Sequence, residues 1–322
     1  MKRLVAFLKE WTLLVSMVTG AASYFLLHFT SGLDAVKPAL VAFAGDAIPT
    51  LLFLTLFLTF CKVEPRAIVR IKRWHLWLLL LQVVGAVSLT AYIVLFPPTT
   101  YRLFFLGLLV VMICPNAAAA AVVTGKLGGS ESSVTTYTLL SNLLAAVAIP
   151  LLFPLAGSTA SGTFLMQCWA IILKVFPMLI LPLLLAWGLR YFLPKAHAFV
   201  LRKCSGWAFY MWAFNLIVLI AQCIRTGVNG EGDGFQKLQP VLAGLVCCLV
   251  FFPVGKAMGH PDGESVSSGQ ALAQKNTVFA IWITMIYLNP IVCLAPAGYV
   301  VWQNLVNSWQ IHRYQRLMSR KF

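Results

Sequence analysis

Apolar residues run along this chain in blocks of about twenty, separated by short polar stretches. The blocks fall at roughly 11–29, 38–61, 75–96, 103–125, 133–156, 163–189, 200–224, 238–255, 268–288 and 290–309. A helix rises ~1.5 Å per residue, so about 20 apolar residues cross the hydrocarbon core of a bilayer. The separators, among them "TSGLD", "FPPTT", "GKLGGSES", "AGSTASG" and "GHPDGES", are rich in turn formers. The pattern predicts an all-α polytopic membrane protein with ten transmembrane helices. Lys9 and Glu10 interrupt the apolar run at the N-terminus. The first block is therefore read as a retained helix rather than a cleaved signal.

Two blocks are interrupted. The fourth contains "MICPNAAAAAVVTGKLGG". Pro115 removes a backbone donor and clashes with the preceding turn, which frees carbonyls, and the alanines after it allow close approach of another backbone. The ninth opens with the small and polar "SSGQALAQKN" before turning apolar at "TVFAIWITMIYL". Each interrupted block is second to last in its half. Five helices per half means that the second half starts from the opposite side. The expected organisation is one membrane domain, residues 1–322, built as two inverted five-helix repeats over about 11–156 and 163–309, with discontinuous helices four and nine.

Charge orients the pattern. Of the 24 Lys and Arg, eighteen fall on the side that holds both termini, four on the other, and Lys174 and Lys275 lie inside blocks. Short cytoplasmic loops carry the basic excess, so both termini are expected in the cytoplasm, and a bacterial inner membrane is the expected location. The chain is 60% hydrophobic and 10% charged, against about 25% charged for soluble domains. Its net charge of +15 is spread over loops, without the stripe of bases and stacking aromatics that nucleic-acid binding needs. The eight cysteines lie within or beside apolar blocks with no C-x-x-C pair, and the five histidines are dispersed, so no metal site or cofactor is expected. No H-E-x-x-H, no G-x-S-x-G and no paired membrane aspartates occur, so an enzyme is not expected. Trp11, Trp74, Tyr101, Tyr191 and Trp309 are read as an interfacial belt.

Three stretches resemble the bile acid:sodium symporter superfamily, over about residues 33–309. They are "FLTLFLTFCKVEPRAIVRIKR"; "QVVGAVSL" with "CPNAAAAAVVTGKLGGSESSVTTYTLLSNLLAAVAIPLLFPL"; and "GQALAQKNTVFAIW". The resemblance implies ten helices in a core and a panel domain, with helices four and nine crossing at their breaks and two sodium ions bound behind the crossing. Matched position by position, the family's sodium-binding Gln of helix three is Gln82, and its Pro opening the fourth-helix motif is Pro115, followed by Asn116. Its ligating Ser and Asn are Ala120 and Ala121. In helix five the ligating Thr is Thr138, and a ligating Ser is Val134. In helix nine the shared Glu is Gln270, the Gln is Gln274, and the Asn beside the crossing is Lys275, with Asn276 next to it.

Those exchanges change the chemistry. Sodium needs several hard oxygens and commonly a negative charge to offset desolvation. Alanine and valine offer no side-chain oxygen, and the carboxylate is gone. A lysine arrives instead, and two like charges ~4 Å apart cost about 4 kcal/mol at an effective dielectric of 20. The Lys275 ammonium is expected to take the role of a bound sodium ion, neutralising carbonyls at the break and hydrogen-bonding to Gln82, Gln270 or Gln274. The other reading is that Lys275 snorkels to the interface. A permanently charged lysine implies sodium-independent transport of a small organic anion; one that releases its proton in each cycle implies proton coupling. Thr135, Thr138 and Asn142, at i, i+3 and i+7, share one face; Thr138, with Asn142 one turn further, is a candidate to line the pocket, and the alternative is hydrogen bonding between helices. Asp46 and Lys174 are read as interfacial, and Glu131 as favoured by the helix dipole. The function expected is secondary transport by alternating access. The alternatives are a sodium- or proton-coupled symporter of bile-acid-like or other carboxylate or sulfonate solutes and, further off, a membrane receptor or scaffold. The partners expected are the solute and the lipid bilayer, with no nucleic acid and no obligatory protein partner.

Overall fold

The computed structural model describes residues 12–319 apart from 31, 33, 34, 67–70, 97–99, 118 and 205. Trp11, Ala118 and the basic residues Lys2, Arg3, Lys9, Arg70, Arg320 and Lys321 lie outside the described residues. The elements are α1 (Thr12–Phe29), α2 (Lys37–Phe60), α3 (Arg73–Leu95), α4 (Arg102–Ile113), α5 (Ala119–Lys126), α6 (Glu131–Ala156), α7 (Phe164–Leu179), α8 (Leu181–Phe192), α9 (Pro194–Phe199), α10 (Trp207–Asn229), α11 (Gly234–Gly259), α12 (Ser265–Ala273), α13 (Thr277–Tyr287) and α14 (Leu294–Ser319). Among the described residues there is no strand, only one isolated bridge between Asn116 and Lys275. This is an integral, multi-pass membrane protein: six helical stretches are long and apolar enough to cross a bilayer, namely Lys37–Phe60, Arg73–Leu95, Glu131–Ala156, Phe164–Phe192, Trp207–Asn229 and Gly234–Asp262.

The expected fourth and ninth blocks are each two short helices, α4 with α5 and α12 with α13. Three boundaries differ from those read off hydropathy. The sixth block divides at Ile180, just after Pro177 and before Pro182. The seventh helix starts at Trp207 instead of 200, because Pro194–Phe199 and a π turn at Val200–Cys204 form a separate short element. The last helix starts at Leu294, after a 3-10 turn at Pro290–Cys293, and runs ten residues past the apolar block to Ser319. Its Gln303, Asn307 and Gln310 are buried against protein, so the helix continues on contacts that a hydropathy pattern does not register.

Two compact units make up the chain. One comprises the described residues up to Lys62 with Leu181–Glu231, and the other comprises Val63–Ile180 with Gly232 onward. In the first unit α10 packs on α1 and α2, and α2 on α8. Gly20 permits the α1 contact, since a Cβ there would lie 2.5 Å from the Ile217 carbonyl oxygen. The buried His197 Nε2–H donates to the Cys61 carbonyl at 2.9 Å, which ties α9 to the end of α2.

In the second unit α11 is the central element, packed on α4, α12 and α14. Small residues set those distances. A Cβ on Gly244 would lie 2.5 Å from the Ala295 carbonyl oxygen, and one on Gly255 2.8 Å from that of Ser268. The core around them includes Trp74, Leu78, Tyr137, Phe251 and Tyr299. The N-terminus of α6 is capped by the Ser130 side chain, which accepts from the Ser133 amide at 3.2 Å, and Gly157 ends the helix at φ 106°. Glu131 lies in the first turn of α6, as the dipole favours. Asp46 and Lys174 are exposed.

Candidate functional site

The site is built where both interrupted helices break. Pro115 cannot continue α4, and the residue before a proline is pushed out of the helical region; Cys114 sits at φ −55°, ψ 132°. At the second break, after α12, Gln274 is extended at φ −86°, ψ 96°. Breaking a helix inside a membrane leaves backbone groups that water cannot satisfy. Here the two breaks satisfy each other. The Ala117 amide donates to the Gln274 carbonyl at 2.8 Å, and the Asn276 amide donates to that of Pro115 at 2.8 Å. Asn276 also caps α13, its side chain accepting from the Phe279 amide at 3.3 Å. Tyr299 holds the end of α12 by donating to the Ala273 carbonyl at 2.5 Å.

Lys275, at the centre of this pairing, is 2% exposed. The ammonium does not snorkel. It donates to the carbonyls of Cys114 at 3.1 Å and Met112 at 3.3 Å, and it lies 5.2 Å from the centre of the Phe251 ring. These carbonyls belong to the C-terminal end of α4, where the helix dipole favours a cation. Among the described residues no carboxylate pairs with it. The Gln82 amide donates to the same two carbonyls, at 3.0 Å to Met112 and 3.5 Å to Cys114, while its oxygen accepts from the Tyr137 hydroxyl at 2.7 Å.

The expected hydrogen bonds from the ammonium to glutamine side chains are not found. Gln82 is placed beside the ammonium but presents its donor end to the shared carbonyls, because Tyr137 already holds its acceptor oxygen. Gln274 donates to Gln270 at 2.8 Å, and Gln270 donates to Gln310 at 3.5 Å, so that pair is engaged with α14. The backbone amide of Lys275 donates to Gln303 at 3.1 Å. Asn116 and Thr138 do come together. The Asn116 side-chain nitrogen donates to the Thr138 hydroxyl oxygen at 3.0 Å, and the Asn116 backbone amide donates to the Ser141 hydroxyl oxygen at 2.8 Å. Asn142 donates to the Thr138 carbonyl at 2.7 Å. The side-chain oxygens Oδ1 of Asn116 and Asn142 have no hydrogen-bond partner among the described residues. Thr135 bonds back to its own helix, donating to the Glu131 carbonyl at 2.8 Å.

This set does not fit a sodium ion at Lys275: the carbonyls there are taken by an ammonium and an amide, and among the described residues no negative charge pairs there to offset the desolvation.

Sequence reading missed Tyr137, Ser141, Gln303 and Gln310. The signal for Tyr137 and Ser141 was their i, i+4 placement on α6, and for the two glutamines their two-turn spacing on α14.

A profile of the sodium bile acid symporter family matches residues 49–228, more than half of the chain. The chain belongs to the sodium bile acid symporter family. It is accordingly a membrane transporter of the bile acid symporter type. The matched region contains α3, the break at Pro115 and all of α6, and it ends before Lys275. A comparison with curated proteins as whole sequences finds no match.

A second cluster lies at the start of α3. Glu264 is paired with the Lys72 ammonium and accepts from the Trp74 indole at 3.2 Å, with a further hydrogen bond to Ser133. His75 Nε2 lies 3.2 Å from the Ser133 hydroxyl, and His75 Nδ1 accepts from the Lys72 backbone amide at 3.0 Å. Burial pushes the Glu264 carboxyl up, but hydrogen bonds from Lys72, Ser133 and Trp74, with the charge of Lys72, outweigh it and hold the group below the usual carboxylate range. The cluster ties the starts of α3, α6 and α12 together and so fixes the half-helix that leads to Lys275.

Proposed function

We propose that this transporter moves a small organic anion by alternating access, and that the Lys275 ammonium does the work that a dissolved sodium ion does in its relatives. The observation that carries the proposal is the ammonium itself, buried at the paired breaks and held by the Met112 and Cys114 carbonyls alongside Gln82. A tethered cation there stabilises the broken backbone without an ion gradient, and it repels sodium by Coulomb's law. The positive charge and the N-termini of α5 and α13 favour an anionic solute.

The fold proposed for this cycle is the ten-helix inverted repeat, 11–156 and 163–309, within a single transporter domain. Support comes from the mutual pairing of the two breaks. The two compact units are read as the panel and the core. The asymmetric distribution of Lys and Arg supports termini in the cytoplasm and, for the location, a bacterial inner membrane. Gln82, Pro115, Asn116, Thr138, Gln270, Gln274 and Asn276 are proposed as the residues that frame the site, with Lys275 at its centre.

The test is uptake in proteoliposomes over a panel of radiolabelled carboxylates and sulfonates, with sodium and pH gradients imposed independently. The expected result is uptake that is unchanged when choline replaces sodium and is lost in Lys275→Met. Uptake that requires a sodium gradient in the wild-type protein would refute the proposal.

A further inference from the structure

The connection between α8 and α10 is more than a loop. Pro194–Phe199 is a helical turn, Val200–Cys204 continues it as a π turn, and Trp207 opens the next long helix. One residue of this element points inward: the buried His197, which donates to the Cys61 carbonyl at 2.9 Å. With that contact fixed, most of the other side chains are turned outward, with Val200, Leu201 and Cys204 half-buried. Tyr191, Phe192, Leu193, Phe199, Trp207 and Tyr210 are all exposed, Phe192 by 86%. Lys195, Arg202 and Lys203 are exposed beside them. Arg202 uses only its Nε, which donates to the Ala198 carbonyl at 3.4 Å, and its two terminal nitrogens remain for other acceptors. No Asp or Glu occurs anywhere from Leu181 to Trp207.

Aromatic rings partition to the level of lipid headgroups, and basic side chains extend from there to phosphate. A row of bases without a compensating acid is drawn to an anionic leaflet. We infer that residues 191–204, with Trp207, form a docking surface for anionic phospholipid: Lys195, Arg202 and Lys203 bind headgroup phosphate, and the aromatic side chains lie at the headgroup level. His197 is a positioning residue, since its bond to Cys61 sets which face of the element meets the lipid. The surface fixes the depth of α8 and α10 in the bilayer, and it stands independently of Lys275 and of the transported solute.

The experiment places the full-length protein in nanodiscs of phosphatidylcholine containing an equal fraction of either brominated phosphatidylglycerol or brominated phosphatidylcholine. Trp207 fluorescence is isolated as the difference between wild type and Trp207→Phe. Bromine on the anionic lipid should quench Trp207 more than bromine on the zwitterionic lipid, and the preference should fall by up to about fivefold for each charge removed in Lys195→Gln, Arg202→Gln and Lys203→Gln. The charge-conserving variant Lys195→Arg, Arg202→Lys, Lys203→Arg should keep the preference, which separates loss of charge from loss of fold. Equal quenching by the two lipids in the wild-type protein would overturn the inference, as would a preference that survives neutralisation of all three residues.

Discussion

The sharpest consequence of a lysine at the paired breaks concerns sodium itself. The ammonium lies 3.1 Å and 3.3 Å from the two carbonyls that a cation would use there. A sodium ion held ~4 Å from it would be destabilised by about 4 kcal/mol at an effective dielectric of 20, close to three decades in affinity. Lys275→Asn removes that repulsion and adds a neutral oxygen; Gln270→Glu adds the missing negative charge. The carboxylate can still accept from Gln274, as the amide oxygen does at 2.8 Å, and forfeits only the long bond to Gln310. The assay is thermal unfolding of purified protein in sodium chloride against choline chloride at matched ionic strength. A ligand that binds only the folded state stabilises it by about 2.7 kcal/mol at a hundred times its Kd. The double variant should show sodium-specific stabilisation, and the wild-type protein should show none. A wild-type protein stabilised by sodium over choline would refute the reasoning, and so would a folded double variant as indifferent to sodium as its parent.

Lys275→Met should abolish uptake while changing stability by less than about 2 kcal/mol, because the lost charge-assisted bonds are offset by the desolvation of an ion that no carboxylate among the described residues pairs; urea or thermal unfolding beside the uptake assay separates the two effects. Glu264, held below its usual range in the folded protein, contributes stability that is complete above about pH 4 and lost as pH falls through its lower folded value. Melting curves across that acid range should therefore show a loss in the wild-type protein that is absent in Glu264→Gln. Gly244→Ala forces a methyl group to 2.5 Å from a backbone oxygen and should cost about 1–3 kcal/mol. Gly188→Ala, with nothing within 4 Å of the new methyl group, should be neutral or stabilising in the same melt.

The sequence by itself determined that the chain is helical and lies in a membrane, because twenty-residue apolar blocks admit few other structures where water is excluded. It also located both helix breaks, since Pro115 removes a donor and "SSGQALAQKN" lacks the apolar side chains of a continuous span. Gln82, Asn116, Thr138 and Lys275 were legible as polar residues in apolar surroundings. What those residues touch was not legible. Local pattern carries no information on which carbonyl faces which donor across 160 residues of chain. Only the folded structure decided that the Lys275 ammonium meets Met112 and Cys114 instead of a glutamine, that Gln274 turns to Gln270 and Gln270 to Gln310, and that Tyr137 directs Gln82. The long polar course of α14 belongs with these: Gln303 accepts from the Lys275 amide and Gln310 from Gln270 on α12, contacts that hold its polar face against protein. Hydropathy reports the exchange of a side chain between water and lipid, whereas the site is made of exchanges between one protein group and another.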